Sequence, residues 1–153
     1  MLMNKSQLLQ TCNQLKQVSE TAAMEYASKA NKLVSEMNVL MLARPDIEAL
    51  VGKENLAMMQ DNHSNHIRFI TSILKDFNSE VLVETILWVF RAYRSRGFST
   101  NYWAAQLNTW VQLIECELTV ASYNEVLPLY EWMQVNIPIF VKLSDEMLES
   151  PNN

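Results

Sequence analysis

His63 and His66 are the only two histidines in a chain of 153 residues, and they stand three apart in "DNHSNHIRFI", residues 61–70. Imidazole is the side chain whose proton moves most readily near neutral pH, and it also ligates metals. Two of them one helical turn apart could share a ligand, a proton or a metal ion. On a helix over residues 54–77 the apolar stripe runs Leu56, Met59, His63, His66/Ile67, Ile70, Leu74 and Phe77. That phase puts both rings on the buried face, with Asp61, Ser64 and Arg68 turned elsewhere. A buried polar group without a partner costs about 1–3 kcal/mol, so something inside the fold must face each ring. Three arrangements meet the requirement. The rings could bond protein groups, such as the hydroxyls of Tyr93, Tyr102, Tyr123 or Tyr130; they could line a small-ligand pocket; or they could hold a metal or haem iron. The first is the simplest. A metal site wants a third or fourth protein ligand, and the chain offers no further histidine, only Cys12 and Cys116 at a distance, and no Glu-x-x-His pattern.

A second dense stretch is "RAYRSRGFSTNYW", residues 91–103, where Arg91, Arg94 and Arg96 mix with Tyr93, Phe98, Tyr102 and Trp103. Guanidinium groups stack on aromatic rings and make forked hydrogen bonds, so this mixture suits a binding surface. The candidate ligand-binding residues are therefore His63, His66, Tyr93, Arg94, Tyr102 and Trp103, with Arg91 and Arg96 as candidates for contact with a protein partner. The competing reading is that Arg91 and Arg94 serve the negative end of their own helix and pair with the acidic C-terminal third. For catalysis there is no Gly-rich phosphate loop, no nucleophile elbow and no carboxylate pair at a useful spacing. A non-catalytic protein is expected, and no catalytic residue is assigned.

The elements that must carry these residues are helices. With two Gly and four Pro, the chain has few sharp reversals. The fold class is all-α: a long N-terminal helix followed by an antiparallel bundle of about four helices. Residues 1–43 form the long helix, a possible dimerisation element, and residues 44–153 the bundle. The N-terminal seam runs Leu8, Leu15, Val18, Ala22, Tyr26, Ala30, Leu33, Met37 and Leu40, at spacings of three and four. It can pack along the domain or pair with its copy in a homodimer. Pro45 to Gly52 makes a short turn of helix. Helices then follow over 54–77, 80–96 and 100–118, and a last one runs to 148, bent near Pro128 or Pro138. Gly97 closes the second of these, with Phe98 folding back on it. Ser122 and Glu125 match a capping box.

The net charge is −5, and no basic stripe offsets it, which excludes nucleic acid as a partner. Apolar runs such as "TILWVF" fall far short of the roughly 20 residues of a membrane span. Two isolated cysteines and an N-terminus without an apolar signal core place the expected location in the cytoplasm.

From about Met59 to Met133, with "DNHSNH", "WVFRAYRSRGFS" and "YEWM", the chain resembles the small all-helical, globin- or phycobilisome-like domains of bacterial signalling proteins. The resemblance covers about half the chain. It implies a dimeric cytoplasmic sensor or regulator acting through a protein partner, with no obligatory cofactor. Haem or another tetrapyrrole is the alternative that it brings, although the sequence has no proximal histidine on a later helix and no Cys-centred bilin site. A metal-dependent helical enzyme is the second alternative.

Overall fold

The computed structural model describes residues 4–149, and among these every element is helical. In chain order they are α1 (Lys5–Cys12), α2 (Glu20–Ser28), α3 (Ala30–Leu42), α4 (Ile47–Val51), α5 (Leu56–Lys75), α6 (Ser79–Arg94), α7 (Thr100–Glu117), α8 (Val120–Val135) and α9 (Ile137–Glu149). A single 3-10 turn, Lys53–Asn55, leads into α5.

The single helix predicted over residues 3–42 is three helices. The break lies at residues 13–19, and side chains make it. Gln17 donates to the Leu74 carbonyl at 2.6 Å and accepts from the Phe77 amide at 2.8 Å, clamping the loop to the end of α5. Ser19 then caps α2 by accepting from the Ala22 amide at 3.1 Å. Neither Gly nor Pro takes part, so the break has no signal in composition. The seam itself is placed well: Leu8, Ala22, Tyr26, Leu33 and Met37 are all fully buried, against the rest of the same chain. Leu40 is instead exposed, and Met41 takes the inner position. One apolar core runs from α1 through α9.

The last predicted helix is also divided. Pro128 sits inside α8 without ending it. The separation falls at Asn136, whose side chain bonds back to the Trp132 carbonyl at 2.8 Å, and Pro138 lies in the first turn of α9, where its missing N–H costs nothing. The cap of α8 is Thr119 rather than Ser122. Ser122 and Glu125 do not close a box on each other, because each is drawn across to α2. Glu125 accepts from the Ser19 amide and hydroxyl, both at 2.8 Å. Glu25 in α2 accepts from the Thr119 amide at 2.5 Å and the Ser122 hydroxyl at 2.6 Å. Each helix thus lends a carboxylate to the other's positive end. These bonds, with Ser122 foremost, hold the Glu25 carboxyl below the usual carboxylate range.

Two glycines take positive φ. Gly97 (φ 100) ends α6, and the Phe98 amide donates back to the Tyr93 carbonyl at 3.2 Å while the two rings meet edge to face at 5.1 Å. This is the predicted helix stop. Gly52 (φ 94) ends α4. The corner after α6 is tied to α4 by the Ser99 amide donating to the Leu50 carbonyl at 2.8 Å. It is also held by buried Asn55, which donates to the carbonyls of Val51 (2.8 Å) and Arg96 (2.9 Å).

A Cβ at Gly97 would come no nearer than 4.0 Å to Asn55, whereas at Gly52 it would press on Asn55 and Glu54 at 3.2 Å. Gly97→Ala should therefore cost only backbone strain, about 1–2 kcal/mol. Gly52→Ala should cost more, because it also dislodges the Asn55 clamp. Urea unfolding midpoints of the two variants check the order.

Candidate functional site

The site is built on α5, whose buried face carries polar groups. Met59, Asn62, His63, Ile67, Ile70, Ile73 and Leu74 are buried on it, and His66 is half-buried. The predicted stripe is present, and the structure adds Asn62 to its polar members.

Each polar group on this face meets a different helix. His63 Nδ1 lies 2.6 Å from the Asn38 carboxamide oxygen in α3, so Nδ1 carries the proton and donates. His66 Nε2 lies 2.8 Å from the Tyr130 hydroxyl in α8, which lies 2.7 Å from the Tyr26 hydroxyl in α2. Three protons are shared over these two contacts, so one is left over; with Tyr26 donating to Tyr130 and Tyr130 to His66 Nε2, it is not the one on the fully buried Tyr26 hydroxyl. The neutral His66 ring then carries its proton on Nδ1. Trp110 of α7 lies between the two imidazoles. It stacks on His66 at 4.9 Å with a 12° interplanar angle and meets His63 edge-on at 5.9 Å. Asn62 Oδ1 accepts from the Tyr102 hydroxyl at 2.7 Å and from Gln106 Nε2 at 2.6 Å, both in α7.

Burial sets the protonation states. It pushes His63 down from 6.5 to about 4. His66 is pushed down to about 3, by burial first and by the neighbouring His63 second. Both imidazoles are neutral at physiological pH. Burial likewise raises the hydroxyls of Tyr26, Tyr102 and Tyr130, so these are uncharged as well. The Cys12 thiol, at the end of α1, is pushed up to about 12 by burial and stays protonated.

A cavity of about 200 Å³ opens on the other side of α5, between α5, α6 and α7, with Met133 of α8 and Phe140 of α9 at its back. Its wall is mainly apolar and aromatic: Phe69, Ile70, Ile86, Phe90, Trp103 and Leu107 among others. The polar groups are His66, Asn62 and Gln106 in its depth and Asn65 and Thr85 elsewhere in its wall. No Lys, Arg, Asp or Glu lines it. Trp88 of α6 is both part of the wall and 55% exposed at the surface.

Of the predicted ligand-binding residues, His66, Tyr93 and Trp103 come together on this cavity. Tyr102 stands one bond behind it, through Asn62. His63 faces away, toward Asn38. Arg94 is turned to α9, where it pairs with Asp145 at 2.7 Å and donates to Ser144 Oγ at 3.1 Å; for this residue the structural reading of the arginine cluster is what forms. Arg96 is exposed and lends its backbone carbonyl to Asn55, while Arg91 is half-buried on α6. Asn62 and Gln106 escaped the sequence reading. Their signal was available: Asn62 shares the inner phase of His63, and Gln106 stands one turn beyond Tyr102.

Among the described residues no group of three His, Cys, Asp or Glu side chains is arranged to hold a metal ion. The cavity does not fit a tetrapyrrole either. It lies below the roughly 300–1,000 Å³ that takes even a drug-sized molecule. No helix among the described residues is long and apolar enough to cross a membrane. Comparison with known proteins gives no matching family, no matching curated protein and no matching solved structure.

The buried imidazoles make stability depend on pH. Both have folded values depressed below 6.5, so the unfolded chain binds more protons on acidification. Their contribution is complete above pH 6.5 and is lost as pH falls from 6.5 toward about 4 for His63 and about 3 for His66. For His63 alone the loss is on the order of 3 kcal/mol. His63→Gln, which keeps a hydrogen bond to Asn38 but cannot titrate, should remove about half of the imidazole-dependent slope of the urea midpoint between pH 7 and 4.5, leaving that of His66. An unchanged slope would show that His63 is not the titrating group.

Proposed function

We propose that the protein is a non-catalytic regulatory module that binds a small molecule in the cavity between α5, α6 and α7 and passes its occupancy on through protein contacts. The observation that carries the reading is a cavity of about 200 Å³ with apolar walls and a few polar groups in its depth, which is how small-ligand sites are built. A void of roughly 150 Å³ lined by aliphatic and aromatic groups holds benzene, so this one has room for a bicyclic ring system. Trp88 gives occupancy a route outward, since a ligand against its inner edge would move a ring that is 55% exposed. The absence of charge from the lining supports binding over catalysis. Its one imidazole is held neutral and offers a proton-bearing nitrogen, which cannot serve as a general base. The resemblance to dimeric signalling domains fits such a module, and a second copy of the chain or a signalling protein is the partner it implies.

Indane, a bicyclic hydrocarbon, serves as the neutral test ligand. It should bind with a Kd on the order of 0.1 mM and shift the indole N–H resonances of Trp103 and Trp88. Ile86→Trp fills the cavity from its wall and should weaken binding at least about tenfold without lowering the thermal midpoint. Uptake of indane with unchanged affinity by Ile86→Trp would place the site elsewhere and sink the reading.

A further inference from the structure

Four buried polar atoms have no partner among the described residues: His63 Nε2, Thr71 Oγ1, Trp103 Nε1 and Trp110 Nε1. These are sealed off. A different set of polar groups also lacks a protein partner, and it belongs to residues that line the cavity together.

Asn62 and Gln106 are buried, at 4% and 2% exposure, and both line the cavity. Their carboxamides are joined by one hydrogen bond, from Gln106 Nε2 to Asn62 Oδ1 at 2.6 Å. The Tyr102 hydroxyl donates to the same oxygen at 2.7 Å and lies 3.2 Å from Gln106 Nε2. These contacts use up Asn62 Oδ1 and Gln106 Nε2. They leave the Asn62 N–H group and the Gln106 carbonyl oxygen without a protein partner. His66 adds a third position: its ring lines the cavity, and with Nε2 accepting from Tyr130 the proton sits on Nδ1, which has no protein partner. The deep end therefore presents two donors, from Asn62 and His66, beside one acceptor, from Gln106. Around them the wall is aromatic and carries no charge.

We infer that the cavity selects an uncharged, flat bicyclic molecule with an amide-like edge, a carbonyl oxygen next to an N–H, as in a lactam. The carbonyl oxygen accepts from Asn62 and His66, and the N–H donates to Gln106. An apolar ligand would bury these three groups unpaired, which is how a polar site rejects an analogue that lacks the matching group. A carboxylate or ammonium ligand would lose its hydration against a wall with no counter-charge. This inference rests on the cavity being a ligand site.

Titration calorimetry of the full chain with four matched bicycles tests it: indane, 1-indanone (acceptor only), oxindole (acceptor and donor) and indane-2-carboxylate. Oxindole should bind at least about tenfold more tightly than indane, the gain of three hydrogen bonds, with 1-indanone between them and the carboxylate not bound. Gln106→Met, which keeps the volume and removes the acceptor, should bring oxindole down to the level of 1-indanone while indane is unaffected. Equal binding of oxindole and indane overturns the inference and leaves the cavity reading standing. Tightest binding by the carboxylate overturns it too. Binding of none of the four overturns the cavity reading itself. The wild-type series decides the question even if Gln106→Met does not fold.

Discussion

The structure depends on one constraint: α5 turns polar side chains inward, and each must be met by a partner in a helix distant in sequence. Asn38 of α3 answers His63, Tyr130 of α8 with Tyr26 of α2 answers His66, and Tyr102 with Gln106 of α7 answers Asn62. Apolar burial is non-directional and would tolerate several ways of laying these helices together. Hydrogen bonds of 2.6–2.8 Å tolerate few. The apolar stripe of α5 supplies the cohesion, and its polar residues fix the register of four neighbours. The helix is thus more than a core element: it determines where the other elements lie. Trp110, stacked on one imidazole and edge-on to the other, reinforces this by filling the space between them.

The helix that follows escapes the constraint. α6 makes no such bond to α5. It is anchored instead to α9, through Arg94 to Asp145 and Ser144, and by packing against α1. With both of its firm contacts elsewhere, α6 stands off from α5, and the cavity is what lies between them. The same arrangement explains the cavity's chemistry. Its deep end is the reverse side of the polar pins, so the atoms found there are those that the pins leave over: one carbonyl of Gln106, one amide of Asn62 and one nitrogen of His66. Its outer wall is the α6 face with Trp88, a ring that no other element covers fully.

Much of this was legible in the sequence because helical phase is a local property. The inward turn of the two histidines and the burial of Leu8, Tyr26, Leu33 and Met37 follow from spacings of three and four, and the Gly97–Phe98 stop after α6 follows from residue type. What was not legible required knowing a distant partner. The break at residues 13–19 comes from Gln17 reaching Leu74 and Phe77, and nothing in "NQLKQVS" announces it. The pattern Ser122–Glu125 has the spacing of a capping box, yet both side chains find better partners on α2. Arg94 illustrates the opposite case. Its type suited an anion pocket as well as a helix end, and only the position of Asp145 on α9 decides between them. Partner identity separates these cases, since periodicity reveals which face turns inward but not what waits there.

The same burial that makes the imidazoles expensive also determines what His66 can do. A histidine titrating near 6.5 would make the cavity a proton sensor. Its midpoint is instead driven to about 3, first by burial and then by His63, so across physiological pH the ring does not change charge. The Tyr26–Tyr130 chain at the same time pairs both tyrosine hydroxyl protons when the His66 proton sits on Nδ1. A ring that neither ionises nor exchanges tautomers behaves as a rigid N–H donor, more like a backbone amide than like a titrating base. Rigid neutral donors next to a rigid acceptor discriminate by shape and hydrogen-bond pattern, because a mismatched ligand leaves them buried and unpaired. Two histidines that at first suggest proton or metal chemistry therefore serve the fold through His63 and, in the ligand site we propose, selectivity through His66.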